Sequence, residues 1–439
     1  MGKGCLRIYK PEIRLEKENT VLFSKIKENG TEKEISYSVE NKYSKYLVTE
    51  RSDAFVTAIL YYAMFKDFDI EWEGLCSEQL IAQIKLFYIP TVANNYEFMH
   101  EIELNGAITS ERLQNEGKVG TGYSGGVDSL YTVHRFIESK YTKLKLTHAV
   151  FTDFFTEGMG EEYQELFWQQ NMKTVKPIVE AIGMEFVPVR LKIDSMYSVG
   201  KYMDPVCGIV QDAGFFPLKY CSIPMALNKL FSTYYFSSGW SAQEANFKSG
   251  DFSSHDILAM PLISTENLKF YSSGEETGRL GKLKEIVDWT PTKKYLQVCM
   301  WDSDEYVNCG TCDKCKRTMN ELYALGKLEE YRERFPVDYY KKHLSKYWAY
   351  VLLQKCKGHL PEVEMIKYMK DTNKEIVITA YFLLPFYIVF DTCYSKIRYV
   401  KWARKLYNHI SGADRLLHGK SLVKMKPKQD ALLNITKGK

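Results

Sequence analysis

The order of apolar and polar positions predicts alternating strands and helices in the first quarter of the chain. Residues 33–39 alternate between polar and apolar side chains, which is the pattern of a half-buried strand. Residues 54–65 are apolar over most of their length, which predicts a buried helix with Asp53 as its N-cap. The same patterns predict strands at 68–72 and 100–104 and a helix that begins at Ser77. These elements indicate an N-terminal α/β domain over residues 1–117.

A strand, a polar turn and a helix follow one another around residue 124. Residues 118–123 predict the strand, and the apolar positions of 130–136 have helical spacing. Further elements are predicted downstream: strands at 146–153 and 234–239, and helices at 279–286 and 322–335, the last of which Pro336 ends. This order indicates an α/β domain over residues 118–319 and a helical domain over residues 320–439.

The most apolar run of the chain lies at residues 376–390 and contains Pro385. It is shorter than the roughly 20 residues that a helix needs to cross a bilayer, so no membrane span is expected. A buried helix, or a pair of buried segments, is the favoured interpretation. Attachment at a membrane surface is the alternative, because the segment that follows is basic.

The turn between the predicted strand and helix has the sequence Ser124-Gly-Gly-Val-Asp-Ser129. Gly125 and Gly126 allow the backbone to approach an anion closely, and the first N–H groups of the helix point toward that anion. Ser124 and Ser129 add hydroxyl donors, and Asp128 is a candidate ligand for Mg²⁺. The lysine of a Walker A motif is absent. We therefore predict a phosphate-binding loop, with an ordinary Gly–Ser turn as the alternative.

Four of the ten cysteines lie in one short stretch: Cys299, Cys309, Cys312 and Cys315. Four thiolates at this spacing suit tetrahedral Zn²⁺. A disulfide or a redox pair is less favoured, because the first residues lack the apolar core of a secretory signal and a reducing, cytoplasmic location is expected. An iron–sulfur cluster is the other alternative.

The loop at 124–129 resembles the PP-loop of the N-type ATP pyrophosphatases. Together with the Cys-x₉-Cys-x₂-Cys-x₂-Cys spacing, it resembles the QueC-type 7-cyano-7-deazaguanine synthases over residues 118–319. The resemblance implies a HUP-like, doubly wound parallel sheet with a zinc knuckle, and cleavage of ATP to AMP and pyrophosphate with Mg²⁺. In that family the activated carboxylate is 7-carboxy-7-deazaguanine. Ammonia converts it to an amide, and the amide is then dehydrated to a nitrile with a second ATP.

The resemblance also implies which residues contact ATP. The implied contacts are Tyr123, Ser124, Gly125, Gly126, Val127, Asp128, Ser129, Phe151, Asp153 and Gly239. Asp128 and Ser129, together with Lys282 on the predicted helix 279–286, are expected to act in catalysis by stabilising the pyrophosphate leaving group.

Parts of the chain depart from the family pattern. Different residues stand at 154–157 and 219–224, where the family's base-recognition motifs are expected. The chain is also longer than the QueC-type enzyme of the queuosine pathway. In its length it is more similar to specialised members of the family from anti-phage gene clusters, some of which join a deazaguanine to a protein. Gly2 stands where a glutaminase would carry its nucleophilic cysteine, so free ammonia or an external amine, including a protein amine, is the expected nitrogen donor.

The charge of the chain is concentrated at its C-terminal end. Twelve Lys and Arg residues against three Asp residues give the segment 391–439 a net charge of +9, while the whole chain carries +4. Tyr399, Trp402 and Tyr407 lie among these charges. The pattern predicts a protein or RNA partner, with a solvated helix face as the alternative.

Two other functions are compatible with the sequence. A PP-loop enzyme that thiolates tRNA would use the basic segment for RNA, but it needs a reactive cysteine or a cluster, and Cys207 and Cys221 are the spare cysteines of the predicted α/β domain. A scaffold that binds a nucleotide without turnover would also keep the loop.

Overall fold

A computed structural model of the chain describes residues 4–153, 161–193, 197, 201–205, 208–211, 215–299 and 307–397. The predictions made for residues 154–157, for Cys207 and for the basic segment beyond residue 397 therefore lie outside the described residues.

Thirteen strands and fourteen α-helices are present in the described part of the chain. The strands are β1 (Gly4–Ile8), β2 (Glu12–Leu15), β3 (Asn19–Glu28), β4 (Thr31–Glu40), β5 (Phe68–Ser77), β6 (Leu104–Thr109), β7 (Lys118–Gly122), β8 (His148–Phe151), β9 (Glu185–Lys192), β10 (Lys201–Asp204), β11 (Gly208–Gln211), β12 (Phe231–Ser237) and β13 (Lys269–Ser273). The helices are α1 (Asp53–Lys66), α2 (Glu78–Gln83), α3 (Ile89–Asn95), α4 (Val127–Ile137), α5 (Glu161–Ile182), α6 (Phe216–Ala226), α7 (Asp256–Leu262), α8 (Arg279–Ile286), α9 (Thr290–Tyr295), α10 (Asp313–Leu325), α11 (Val337–Lys342), α12 (Leu344–Cys356), α13 (Leu360–Asp371) and α14 (Ile378–Ile397).

One large mixed sheet organises the first two thirds of the chain. Its strands lie in the order β13-β12-β7-β8-β9-β4-β3-β1-β5-β6, with β2 paired to β3. The five strands from β13 to β9 are all parallel, and β9 joins the N-terminal strands through an antiparallel pair with β4. All four residues of β8 are buried, as expected for a parallel strand that is covered on both faces. The predicted mixed α/β fold with a large, mostly parallel sheet is thus confirmed.

The chain divides into two compact units, which differ from the three predicted domains. The first unit contains residues 1–123 and 132–276, and the second contains residues 124–131 and 277–439. The predicted boundary at residue 117 falls inside the first unit, because the pairing of β4 with β9 makes the N-terminal strands and the parallel strands one sheet.

Each unit has its own apolar core. In the first unit, Tyr37 is completely buried, and its hydroxyl donates to the carbonyl of Ala54 at 3.2 Å and contacts Oγ of Ser222 at 2.9 Å. In the second unit, Trp348 on α12 is completely buried, in a core formed by the helical segments from α8 to α14. Within residues 320–397 the C-terminal region is mainly helical, as predicted.

The start of α1 differs from the prediction. Ser52 occupies the N-cap position, and Asp53 is the first helical residue. The Asp53 carboxylate instead accepts a hydrogen bond from N of Ser77 at 2.8 Å, and burial raises the pKa of Asp53 to about 6. The prediction that a helix begins at Ser77 is confirmed, because its hydroxyl accepts from N of Leu80 at 3.0 Å and caps α2.

Three other predicted elements have different bounds or surroundings. The strand predicted at 100–104 begins only at Leu104, where pairing with β5 starts. The helix predicted at 322–335 ends at Gly326, whose φ of +76° reverses the chain well before Pro336. The apolar run at 376–390 forms part of the single helix α14, which is buried on one side only. No helix in the described ranges combines the length and apolar character that a membrane crossing requires.

Candidate functional site

The predicted phosphate loop connects β7 to α4 in the chain and is closed by its own serines. The N–H of Ser124 donates to Oγ of Ser129 at 3.3 Å, and the N–H of Gly126 donates to Oγ of Ser124 at 3.3 Å. Gly125 has a φ of +71°, which glycine adopts without strain, and its carbonyl accepts from N of Gln297 at 2.8 Å. These bonds hold the turn at the start of α4, where the first N–H groups of a helix lack intrahelical acceptors.

Asp128 lies in the first turn of α4 and contacts two cations from α8. Nζ of Lys282 is 3.2 Å from Oδ1, and Nη1 of Arg279 is 3.4 Å from Oδ2. The side chain of Lys282 is 1% exposed, whereas that of Asp128 is 27% exposed. Because a buried ammonium group needs a charged partner, this ion pair fixes the end of the lysine beside the loop.

Arg279 also connects this pair to a buried carboxylate on α10. Its Nε is 3.4 Å from Oε2 of Glu321, and its Nη2 donates to Oγ1 of Thr318 at 3.1 Å. Glu321 is completely buried, and this burial raises its pKa to about 7, although the nearby guanidinium groups act in the opposite direction. The guanidinium of Arg279 is therefore held between two carboxylates, those of Glu321 and Asp128.

Lys282 was predicted from the sequence, whereas Arg279 and Glu321 were not. Arg279 lies three residues before Lys282, which places both on one face of a helix, so this spacing was an available signal. Glu321 lies within an amphipathic helical segment and resembles an ordinary solvated glutamate in sequence. Only the packing of α8 against α10 shows that it is buried.

The other residues implied to contact ATP lie in the first unit, at the carboxyl ends of neighbouring parallel strands. Tyr123 follows β7 and donates its N–H to the carbonyl of Val150 on β8 at 3.0 Å. Phe151 ends β8 and Asp153 follows it, while Gly239 follows β12, the neighbour of β7 on its other side. Parallel strands end at the same sheet edge, so the three strand ends are brought together there.

These residues differ strongly in exposure. Tyr123, Phe151 and Asp153 are buried, as is Val127 at the first position of α4, whereas Gly239 is exposed. A Cβ atom added to Gly239 would have no neighbour within 4 Å. The space beside the Cα atom of Gly239 is therefore open.

Asp153 is engaged by an arginine that sequence analysis did not identify. Nε of Arg190 donates to Oδ2 of Asp153 at 3.0 Å, and Nη1 of Arg190 donates to Oε2 of Glu165 at 2.5 Å. Burial raises the pKa of Asp153, and the charge of Arg190 opposes this rise. The guanidinium also lies 5.0 Å over the ring of Trp168 and lines a cavity of about 690 Å³ beside β4, β9 and α5.

The four predicted metal ligands lie together in the second unit. Their Sγ atoms are all within 4.8 Å of one another, with Cys299 and Cys312 at 3.8 Å and Cys309 and Cys315 at 3.9 Å. A tetrahedral zinc site with Zn–S bonds of about 2.3 Å requires sulfur–sulfur separations of about 3.8 Å. The geometry of the four thiols therefore fits a metal ion such as Zn²⁺.

Backbone geometry directs the sulfur atoms toward one point. The N–H of Cys312 donates to Sγ of Cys309 at 3.3 Å, and the N–H of Cys315 donates to Sγ of Cys312 at 3.5 Å. Gly310 has a φ of +74°, and a Cβ atom there would lie 2.3 Å from Cγ of Pro336. Glycine is required at this position for both its backbone conformation and its lack of a side chain.

Asn308, which was not predicted from the sequence, holds the two cysteine-bearing segments together. Its side chain is completely buried, and Oδ1 accepts from N of Val298 at 2.8 Å and from N of Cys299 at 3.1 Å. Its Nδ2 donates to the carbonyls of Leu296 and Arg334, both at 3.1 Å. Asn308 precedes Cys309 directly, so these four bonds fix the position of Cys299 relative to Cys309.

Comparisons of this chain with protein-family models, with curated proteins and with solved structures each find no match. The functional assignment therefore depends on the loop, the strand order and the cysteine site described above.

Proposed function

We propose that this protein is an ATP-dependent carbon–nitrogen ligase of the PP-loop ATP pyrophosphatase type. The observation that carries the proposal is the ion pair of Asp128 with Lys282 at the N-terminus of the helix that follows β7. The parallel strands in the order β9-β8-β7-β12-β13 support it, because this is the 3-2-1-4-5 order of doubly wound, HUP-like sheets. In such sheets ligands bind beyond the carboxyl ends of the strands at the point where the order reverses, which corresponds here to β7 and β12.

In the proposed reaction, an oxygen of a substrate carboxylate attacks the α-phosphorus of ATP. The bond between the α-phosphorus and the oxygen that bridges to the β-phosphate breaks, and pyrophosphate leaves with the bonding electrons. Ammonia or an amine then attacks the acyl carbon of the adenylate, loses a proton and releases AMP, which leaves an amide. Both steps need positioning and charge stabilisation more than a nucleophile on the protein.

The loop and its cations supply these needs in the proposal. The hydroxyls of Ser124 and Ser129 and the first N–H groups of α4 donate to the phosphates. Lys282 and Arg279 neutralise the negative charge that develops on pyrophosphate. Mg²⁺ fits Asp128, because that carboxylate is partly exposed and Mg²⁺ commonly uses one or two protein carboxylates together with phosphate oxygens. When bound, Mg²⁺ would supply further charge neutralisation.

The resemblance to QueC-type enzymes suggests the substrates. We take 7-carboxy-7-deazaguanine as the carboxylate and ammonia or a protein amine as the acceptor, with an amide, a nitrile or a protein conjugate as the product. A role in antiviral defence, as in the specialised relatives, belongs to the same proposal. The contacts of Phe151, Asp153 and Gly239 with ATP stay predictions.

The thiolation alternative has less support from the described residues. Cys221 is completely buried, its Sγ lies 3.6 Å from Sδ of Met260, and burial raises the pKa of its thiol well above the ordinary value. A thiol in this environment is a poor nucleophile. Cys221 is therefore better suited to packing than to sulfur transfer.

Exchange of labelled pyrophosphate into ATP tests the proposal, because this exchange reports adenylate formation before any amine reacts. We expect exchange that requires both Mg²⁺ and 7-carboxy-7-deazaguanine, and AMP as the product once ammonium is added. Asp128→Asn should reduce exchange about 100-fold. Asp288→Asn, at an exposed aspartate of the second unit, is the matched control and should leave the rate unchanged.

Release of ADP and phosphate would contradict the proposal. Tight ATP binding without exchange for any carboxylate in a broad panel would instead favour the non-catalytic scaffold. Exchange with a different carboxylate would retain the ligase assignment and reject 7-carboxy-7-deazaguanine alone.

A further inference from the structure

One face of α14 is apolar and exposed to solvent. Its exposed apolar residues are Ile378 (70%), Tyr381 (49%), Phe382 (71%), Phe386 (64%), Ile388 (42%) and Val389 (62%). At the helical rotation of about 100° per residue, these side chains fall within roughly half of the helix circumference. Exposed apolar surface that is contiguous in this way marks an interaction site.

The opposite face of α14 is occupied by the core of the second unit. Ala380 is completely buried, and Leu383, Leu384 and Tyr387 pack against the same apolar cluster. Asp391 pairs with Lys357 at 2.6 Å, which joins α14 to the residue that follows α12. The exposed face is therefore a fixed surface, since the other face holds the helix in place.

The exposed face carries no charged residue between 378 and 393. Its remaining exposed positions are Thr379, Pro385, Thr392 and Cys393, which are all uncharged. The sequence that follows is strongly basic, with eleven Lys or Arg residues against two Asp residues between 398 and 439. The residues that form this uncharged apolar surface are thus followed in the chain by a segment with a net charge of +9.

We propose that this face of α14 binds the surface of an anionic lipid bilayer, without crossing it. A bilayer surface satisfies both features at once, because acyl chains accept the apolar side chains and anionic headgroups attract the basic segment. RNA would satisfy the charge but would leave the phenylalanine rings in water. A second copy of the chain would cover the rings but would bring another basic segment beside the first. The proposal is independent of the ligase reaction.

Co-sedimentation of the full chain with vesicles tests this surface. We expect binding to phosphatidylcholine vesicles that contain about 30% phosphatidylserine, and much weaker binding to phosphatidylcholine alone. The variant Phe382→Ser/Phe386→Ser should bind the anionic vesicles at least about tenfold more weakly. Because both rings are largely exposed, circular dichroism of this variant should match that of the unchanged chain. Leu360→Ser, at a 44% exposed position on α13, is the matched control and should bind normally.

Several results would overturn the proposal. Unchanged vesicle binding by the double variant would show that the basic segment binds without the helix face. A dimer that the double variant converts to a monomer, without vesicle binding by either, would identify a second copy as the occupant. Binding of RNA without binding of vesicles would assign the basic segment to nucleic acid. If the full chain does not bind vesicles but removal of residues 398–439 creates binding, the chain covers this face itself.

Discussion

Lys282 and Asp128 form a 3.2 Å ion pair in which the lysine is almost completely buried and the aspartate is partly exposed. The aspartate can therefore meet a ligand, while the lysine stays within the protein. Arg279 contacts the same aspartate and continues to the buried Glu321. The positive charge beside the phosphate loop is thus also contacted by the buried carboxyl group of Glu321.

Replacing the buried lysine should affect turnover far more than replacing its exposed neighbour. We expect Lys282→Met to lower the rate of AMP formation by about 100-fold, because the leaving pyrophosphate loses a fixed positive charge. Lys284→Met, on the exposed side of the same helix, is the control and should keep the rate within about twofold. Equal rates for both variants would remove Lys282 from the proposed mechanism.

Glu321 should make stability depend on pH. Burial raises its pKa from an ordinary value of 4.5 to about 7, so between these values the unfolded chain loses the proton while the folded protein retains it. The free energy of unfolding should therefore fall as the pH rises from about 4.5 to 7. Glu321→Gln should remove this contribution. The unfolding free energy of the variant minus that of the unchanged chain should therefore increase by about 1–3 kcal/mol between pH 4.5 and pH 8.

Chemical denaturation at both pH values measures this difference, and Glu333→Gln at an exposed position is its control. A constant difference between variant and unchanged chain across this pH range would mean that Glu321 is already ionised in the folded protein.

The cysteine cluster should bind one zinc ion per chain. We expect Cys312→Ser to lower the zinc content and the melting temperature, because the binding free energy of a structural zinc contributes to folding. Elemental analysis and thermal unfolding measure the two effects, and Cys356→Ser, at an exposed cysteine outside the cluster, should change neither. Stoichiometric iron with visible absorbance would identify an iron–sulfur cluster instead.

Asn308 should support the metal site without binding the metal. Asn308→Ala removes four hydrogen bonds and leaves buried N–H and C=O groups unpaired, so we expect a loss of about 2–4 kcal/mol in unfolding free energy. Zinc affinity should fall by about 10–100-fold because Cys299 is no longer held in register with Cys309. Competition with a chelator measures the affinity, and Asn94→Ala at an exposed position of the first unit is the control. Normal zinc affinity in a destabilised Asn308→Ala protein would limit this residue to a role in folding.

Local sequence patterns predicted the features that depend on residues close together in the chain. The turn at 124–129 and the helix after it were predicted because glycines and small hydroxyl residues before an apolar helical pattern form a recognisable order along the chain, and phosphate binding by this loop stays a prediction. The cysteine site was found for a similar reason, since three of its ligands come from a single short turn. The helix that begins at Ser77 was predicted because capping depends on residues only three positions apart.

Long-range contacts decided what these patterns could not show. The sequence indicated separate domains on either side of residue 117, but the pairing of β4 with β9 joins residues about 150 positions apart into one sheet. Aspartate is a residue type favoured at helix N-caps, yet the carboxylate of Asp53 accepts a hydrogen bond from the distant backbone N–H of Ser77. The burial of Glu321 and of Asn308 depends on neighbours that only packing supplies. The run at 376–390 is apolar in sequence, and only the position of the core distinguishes its buried face from its exposed one. The sequence by itself determined the turn at 124–129 and the grouping of the cysteines, because short-range backbone geometry specifies them. The tertiary structure decided which side chains are buried and which groups they contact, because both depend on which distant segments fill the space around each side chain.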